Sequence, residues 1–232
     1  MKKLPLMIVA AACVIVFLGS CNLNNDGNTN PQQGSFLVAN ISPDAQPLSI
    51  TINGSNFANN FGYGNYTPYY LANAGSYTFS FYDAASGTSP ILSNTVSISA
   101  SASYSYFLVD SFSKLKSSFV QDNFTAPSTD SVYIRFFNLS PNAGALYLKD
   151  SSTGNDLYSL RAFNDQDANS SNTSFKEMAK GIYTFQLKRL DSSIAVSRVD
   201  TLSGGHVYTI FAKGNVGGTG AQALGIGQIT NY

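Results

Sequence analysis

Asn40-Ile41-Ser42-Pro43-Asp44-Ala45 is matched 98 positions later (138 − 40) by Asn138-Leu139-Ser140-Pro141-Asn142-Ala143. Two further matches keep the same order. Gly75-Ser76-Tyr77-Thr78-Phe79 answers to Gly181-Ile182-Tyr183-Thr184-Phe185, and Tyr104-Ser105-Tyr106-Phe107 to Tyr208-Thr209-Ile210-Phe211. Three collinear matches define a duplicated unit of about a hundred residues, the size of a domain and not of a solenoid repeat. The fold problem therefore reduces to one unit, met twice, with a boundary near Ala126-Pro127-Ser128-Thr129-Asp130.

Within each unit the apolar residues alternate with polar ones at period two, the pattern of strands with one buried face. Leu48, Ile50 and Ile52 alternate with Ser49, Thr51 and Asn53, and Tyr77, Phe79 and Phe81 with Thr78, Ser80 and Tyr82. In the second unit Val132, Ile134 and Phe136 alternate with Tyr133 and Arg135, and Tyr183, Phe185 and Leu187 with Thr184, Gln186 and Lys188. Turn signals separate the runs: Ser42-Pro43-Asp44, Asn53-Gly54, Ser86-Gly87 and Ser203-Gly204-Gly205. Short strands at this spacing predict an all-β chain of two tandem immunoglobulin-like β-sandwich domains, with a small barrel as the alternative. The cysteine and tryptophan marks of antibody domains are absent. The match offset rises from 98 to 106 (181 − 75), which predicts about eight extra residues in the second unit. The polar run Asn164-Asp165-Gln166-Asp167-Ala168-Asn169-Ser170-Ser171-Asn172 is the expected place, as a surface loop.

Upstream of the units the chain reads as an address. Met1-Lys2-Lys3 and an apolar run through Leu18 precede Gly19-Ser20-Cys21, and the sequence then turns polar at Asn22. This is the layout of an export signal over residues 1–20. Leu18-Gly19-Ser20-Cys21 resembles the lipobox of bacterial lipoproteins. That resemblance implies cleavage before Cys21 and a covalent diacylglycerol/acyl lipid on Cys21, the diacylglycerol on its sulfur, with no other cofactor. Cys13 leaves with the signal, so the mature chain has no thiol left to form a disulfide. Residues 21–34 read as a lipidated flexible tether. The thirteen residues 22–34 of such chain span about 20 Å at roughly 5–6 Å × √n. The expected sandwiches then occupy 35–126 and 127–232.

Composition narrows the function classes. Charged residues make up 11% of the 232, with 13 basic and 13 acidic. Loss of Lys2 and Lys3 leaves 11 basic against 13 acidic, which offers no electrostatic footprint for nucleic acid. His206 is the one histidine, in a turn before a strand, and Glu177 the one glutamate. No nucleophile elbow and no paired carboxylates stand in a motif, so no catalytic residue is assigned and the chain reads as a non-enzyme. Asp165, Asp167 and Asn169 place oxygens at alternate positions, as calcium loops do. Ser170 and Lys176 occupy the places of the loop glycine and the bidentate acid, so the metal expectation is none, with these three as the candidates. Tyr63, Tyr66, Tyr69 and Tyr70, in Phe61-Gly62-Tyr63-Gly64-Asn65-Tyr66-Thr67-Pro68-Tyr69-Tyr70, are the candidate ligand-binding rings for a glycan or a protein partner.

These residues together resemble the DUF4397 family in two tandem copies. The carriers are Ser42-Pro43-Asp44-Ala45, Phe61-Gly62-Tyr63-Gly64, the Gly75 to Thr78 strand, and the closing Tyr104-Ser105 and Tyr208-Thr209 strands. In the second unit Asn142 stands for the aspartate, and the aromatic-glycine stretch has no recognisable counterpart. The resemblance implies exported, often lipid-anchored β-sandwich modules, here similar to outer-membrane lipoproteins of Bacteroidetes-type bacteria. The resulting expectation is a cell-envelope protein on the outer membrane with a structural, adhesive or ligand-presenting role. The alternative is a glycan-binding accessory lipoprotein of a polysaccharide-uptake system.

Overall fold

The computed structural model describes residues 32–232, and Pro31–Tyr232 form one compact unit. The export signal, Cys21 and most of the expected tether lie outside the described residues. The chain is all-β, as the alternation predicts. The first half contributes β1 (Gln33–Asn40), β2 (Leu48–Ile52), β3 (Ser55–Phe61), β4 (Tyr70–Asn73), β5 (Gly75–Asp83), β6 (Leu92–Ile98), β7 (Ser103–Val109) and β8 (Lys116–Gln121). The second contributes β9 (Ser131–Asn138), β10 (Leu146–Asp150), β11 (Asp156–Arg161), β12 (Lys176–Ala179), β13 (Gly181–Lys188), β14 (Ile194–Leu202), β15 (Val207–Lys213) and β16 (Gly225–Thr230).

Each half is a sandwich of two four-stranded sheets, and both halves have the same strand order. The first pairs β4-β1-β7-β8 with β3-β2-β5-β6, and the second pairs β12-β9-β15-β16 with β11-β10-β13-β14. The first strand of each half lies inside its sheet, parallel to the seventh: β1 to β7 and β9 to β15. Asn53 and Gly54 close the β2–β3 hairpin with φ of 50° and 79°. Two positive φ values in a two-residue loop are the type I′ geometry that Asn-Gly favours.

The strand opening the fold begins earlier than the composition of residues 22–34 suggests. Gln33 and Gly34 belong to β1, where they pair with Asn73 and Ala72 of β4. Gly34 fits because it lacks a side chain: a Cβ there would stand 2.4 Å from the Ser99 carbonyl oxygen. Gln33 and Gly34, expected in the tether, are therefore part of the folded body.

The duplicated Asn-x-Ser-Pro motif fastens the two sheets of each sandwich together. Asn40, at the end of β1, donates from Nδ2 to the Phe61 carbonyl at the end of β3, and its Oδ1 accepts from the Ser42 amide. Asn138 repeats this with the Arg161 carbonyl and the Ser140 amide. Both asparagines are buried, so each bond satisfies a group that would otherwise be costly. Asp44 and Asn142 also do one job. The first accepts from the Phe112 amide and the second from the Val216 amide, so the amide replaces the carboxylate without loss of the contact.

Three apolar cores follow from these layers. Phe36, Val38, Leu48, Ile50, Phe79 and Tyr106 fill the first sandwich; Ile134, Phe136, Leu146, Leu148, Phe185 and Ile210 fill the second. A third core joins them, from Leu37, Ala39, Phe107 and Val109 on one side and Phe137, Leu139, Phe211 and Ile229 on the other. Sheets β4-β1-β7-β8 and β12-β9-β15-β16 are thus buried on both faces. Their central strands accordingly read as unbroken apolar runs, such as Phe36-Leu37-Val38-Ala39 and Tyr106-Phe107-Leu108-Val109.

Candidate ligand-binding groove

The aromatic stretch does not form a common surface. Tyr69 turns its hydroxyl inward and donates to Asp122 at 2.6 Å. Burial first, and the adjacent carboxylate second, raise its phenol pKa. Tyr63 is half-buried under Lys213, whose Nζ lies 5.5 Å from the ring centroid, and burial pushes its phenol up to about 12. Tyr70 packs edge-on against Phe57 at 5.0 Å, at the margin of the first core. Tyr66 is the most open of the four, 51% exposed. Tyr69 is therefore a structural residue and not a stacking platform: alternation and the loop path send it to the interface between sandwiches.

The oxygen-rich run is likewise occupied from within. Both carboxylate oxygens of Asp165 are held by the Arg161 guanidinium, with Nε at 3.0 and 2.9 Å and Nη2 at 2.6 Å. Asp167 accepts from Ser118 and from Asn164 Nδ2. Asn169 caps the short 3₁₀ turn Ser170–Thr173 through the amide and hydroxyl of Ser171. These oxygens are engaged by an arginine, a hydroxyl, an amide and a cap, whereas a calcium site needs them turned to the ion. Among the described residues no group of three or more His, Cys, Asp or Glu side chains could hold a metal ion. His206 lies in its turn with Nδ1 3.0 Å from the Gly204 carbonyl and its ring stacked on Tyr208.

What the run does is reach across to the first sandwich. Gln166 is 3% exposed and donates from Nε2 to Ser118 Oγ of β8 at 3.1 Å, beside the Ser118–Asp167 bond. Phe163 packs on the third core. The loop thus straps one sandwich to the other, and the expectation of a free surface insertion is corrected. The registers also divide the extra residues. Leu48 pairs with Phe61 as Leu146 pairs with Arg161, so the offset has already reached 100 (161 − 61) at the end of β11. Two of the eight residues belong to the β10–β11 turn and six to the strap, residues 162–175.

Under the strap, between the open edges of β6 and β8, lies a groove of about 650 Å³. Asn94, Gln121, Asn123 and Gln166 supply amides, and Thr95, Ser117, Ser170 and Thr173 supply hydroxyls. Phe119 is the aromatic face in it, stacked at 4.7 Å on Tyr104. The Tyr106 phenol lies against Asn94 and Ser117, and burial raises its pKa. Asp167 is the one charged lining residue. Hydrogen-bonding groups of both kinds beside one flat ring can hold a polar ligand by many modest bonds; they cannot supply an acid–base pair. The sequence signal for this site was the run Ser93-Asn94-Thr95 with Ser117-Ser118, small polar residues on two strands that a linear reading does not place side by side.

Next to the groove the interface holds a buried polar network. Arg135 and Asp122, both with fully buried side chains, form an ion pair at 2.5 Å. Arg135 Nε donates to Thr209 Oγ1 at 2.8 Å, and its guanidinium lies over Phe137 and Phe175 at 4.7 and 4.5 Å. Ser105 donates to Asp122, Thr209 donates to Asn231 Oδ1, and Asn231 Nδ2 donates to the Tyr69 hydroxyl. The members come from matching places in the two halves. Leu37 pairs with Ser105 as Arg135 pairs with Thr209. Tyr69 precedes β4 as Phe175 precedes β12, and Asp122 follows β8 as Asn231 follows β16. Two of the four matched pairs carry one charge each: Arg135 matches the neutral Leu37, and Asp122 the neutral Asn231. The alternation gave Arg135 as an outward polar residue; it is outward from its own sandwich and buried against the other.

Comparison with known proteins adds a family match over part of the chain. No curated protein matches the chain. Among solved structures it is similar to the Bacillus anthracis TIE protein, with 10% identity and a TM-score of 0.23 over 78% of this chain and 34% of that one. It is also similar to CBMbc, of family CBM26, from Eubacterium rectale Amy13K in complex with maltoheptaose, with 9% identity and a TM-score of 0.25 over 84% and 95%. The chain spans about a third of the length of the first, and likenesses at these TM-scores transfer no site. Residues 35–149 match the family model described as domain of unknown function (DUF4397), a span that runs from β1 through the first sandwich and into β10. Residues 35–149 are therefore similar to the DUF4397 family.

Proposed function

We propose that this protein is a non-catalytic lipoprotein of the bacterial envelope, held on the outer membrane through lipid on Cys21, that presents the β6–β8 groove to a glycan. The groove carries the reading: a long, open site of amides and hydroxyls around one aromatic ring matches the chemistry of a sugar chain, whose rings offer hydroxyls on their edges and C–H faces above and below. Asp167, the titratable group in it, has both oxygens engaged by Ser118 and Asn164, which supports binding without chemistry. The second half is proposed as another copy of the same family module, supported by the common strand order and the shared Asn clamp.

Two measurements test this. A glycan array probed with the full-length chain in detergent should give saturable binding, lost in Ser170→Trp, which fills the groove from its exposed rim. Absence of any sugar signal, together with one envelope protein co-purifying in stoichiometric amount, refutes the glycan reading in favour of a structural one. Separately, labelled fatty acid should enter the parent and not Cys21→Ala; incorporation in both, or in neither, refutes the anchor.

A further inference from the structure

Resting on the groove reading, we infer that the glycan site continues past the β6–β8 groove into a second cavity, so that the ligand is an extended sugar chain held along its length. The second cavity measures about 480 Å³ and lies between the turn after β6 and the segment after β8. Ser101, Ala102 and Ser103 form one wall, and Asp122, Phe124 and Thr125 form the other. Gln121 and Asn123 line both cavities, and both residues are exposed. The two spaces therefore meet at one pair of amides, carried on alternate residues of the same segment. That segment is also the link between the sandwiches, since β8 ends at Gln121 and β9 begins at Ser131.

Both walls of the second cavity are tied to the sheet. The Ser101 amide donates to the Gln33 carbonyl of β1, and the Asp122 amide to the Ser103 carbonyl of β7, each at 2.8 Å. Walls held in this way need little ordering when a ligand arrives. The chemistry carries over from one cavity to the other. Each sets amides and hydroxyls beside an aromatic ring, Phe119 in the groove and Phe124 in the second cavity. Phe124 is half-buried; Phe175 meets it at 81° and 5.7 Å and Tyr232 at 50° and 5.8 Å, so neither neighbour stacks flat on it. The carboxylate of Asp122 is fully buried in its pair with Arg135 and is out of a ligand's reach.

The form of the ligand follows from this succession. Each cavity alone falls in the range of about 300–1,000 Å³ that holds one small molecule. Two in a row, with the same kind of lining repeated, suit a ligand whose own units repeat. Phe119 and Phe124 are five residues apart, at most about 18 Å along the backbone. A sugar chain presents a C–H ring face and edge hydroxyls at every unit, so different units of one chain can meet the two rings while the Gln121 and Asn123 amides hold the units between. A single sugar occupies one cavity only. The bound chain runs along β8 toward the start of β1, where the Ser101 turn closes the second cavity.

The test is calorimetric titration of the full-length chain in detergent with disaccharides and octasaccharides of the glucan, mannan and galactan series. At least one series should bind, with one octasaccharide per protein and an affinity more than about tenfold above that of its disaccharide, the gain of one added neutral contact or more. Phe124→Leu keeps apolar bulk against Phe175 and removes the flat ring. It should weaken the octasaccharide by about fivefold, the order of one aromatic contact, and leave the disaccharide, which the larger groove holds, unaltered. Thr125→Met fills the second cavity from its exposed rim and should act in the same way, so the outcome does not hang on the folding of one variant. Equal affinity for the two lengths, two octasaccharides per protein, or an octasaccharide affinity unaltered in either folded variant overturns the inference and leaves the groove reading standing. Failure of every sugar overturns the groove reading itself.

Discussion

Asp122→Asn is the sharpest probe of how the two sandwiches are held. The change keeps the size of the side chain, and Asn231 occupies the matched position in the other half. It removes only the charge facing Arg135, whose guanidinium is then buried without a counterion. Breaking a buried pair from one side costs about 3–5 kcal/mol. For a body of this size each kcal/mol is worth about 2–4 °C, so Tm should fall by about 6–20 °C. Arg135→Leu, which installs the residue type found at Leu37, should cost a similar amount by stranding Asp122. The double variant leaves no buried charge and should cost less than either single change, giving a coupling of at least about 3 kcal/mol. Urea unfolding followed by tyrosine fluorescence supplies all four corners of the cycle. Additive single effects, with coupling below about 0.5 kcal/mol, would refute the reasoning, because the charges would then be stabilised by something other than each other.

Other expectations follow from the same structure. A chain ending at residue 126 should aggregate or unfold at lower urea than the whole, since Leu37, Ala39, Phe107 and Val109 lose their cover; a melting curve matching the parent refutes the shared core. Gly34→Ala should destabilise by about 1–3 kcal/mol, the range for overpacking, because the new Cβ meets the Ser99 carbonyl at 2.4 Å; an unchanged Tm counts against that packing. Burial raises the pKa of Asp200 above 3.8, against the opposing pull of Arg198. The folded state then holds this proton more tightly than the unfolded one, so its contribution is fully present below 3.8 and declines as pH rises through the folded pKa. Asp200→Asn should flatten that part of the stability–pH curve, and an unaltered slope in urea melts at graded pH speaks against it.

Much of the fold was legible because it rests on local rules. Period-two alternation placed the inward residues of β2, β5, β9 and β13, and Asn53-Gly54 placed a hairpin. What stayed hidden was the partner of the second face. Arg135 between Ile134 and Phe136 reads as solvent-facing in any one-sandwich picture, and only the apolar Phe136-Phe137 and Phe36-Leu37 runs hinted at burial on both sides. The candidate site was harder. Its groups come from β6, β8 and a strap over forty residues downstream, and no spacing rule joins Asn94, Ser117 and Gln166. The aromatic stretch attracted attention by composition, yet Tyr69 serves the interface and Tyr70 packs edge-on against Phe57 at the margin of the first core. The polar run that reads as a solvated loop is the element that closes the groove.

The interior position of β1 has a mechanical consequence. Force entering the folded body at Gln33 runs along a strand bonded to β4 on one side and to β7 on the other. It loads both ladders in shear, so that many hydrogen bonds must fail together, whereas an edge strand would peel away one bond at a time. Beyond Asn40 the load passes through the buried Asn clamp into the second sheet before any hairpin can open. Pulling at Gln33 should therefore meet both ladders of β1 at once, and the half nearer the N-terminus should resist it.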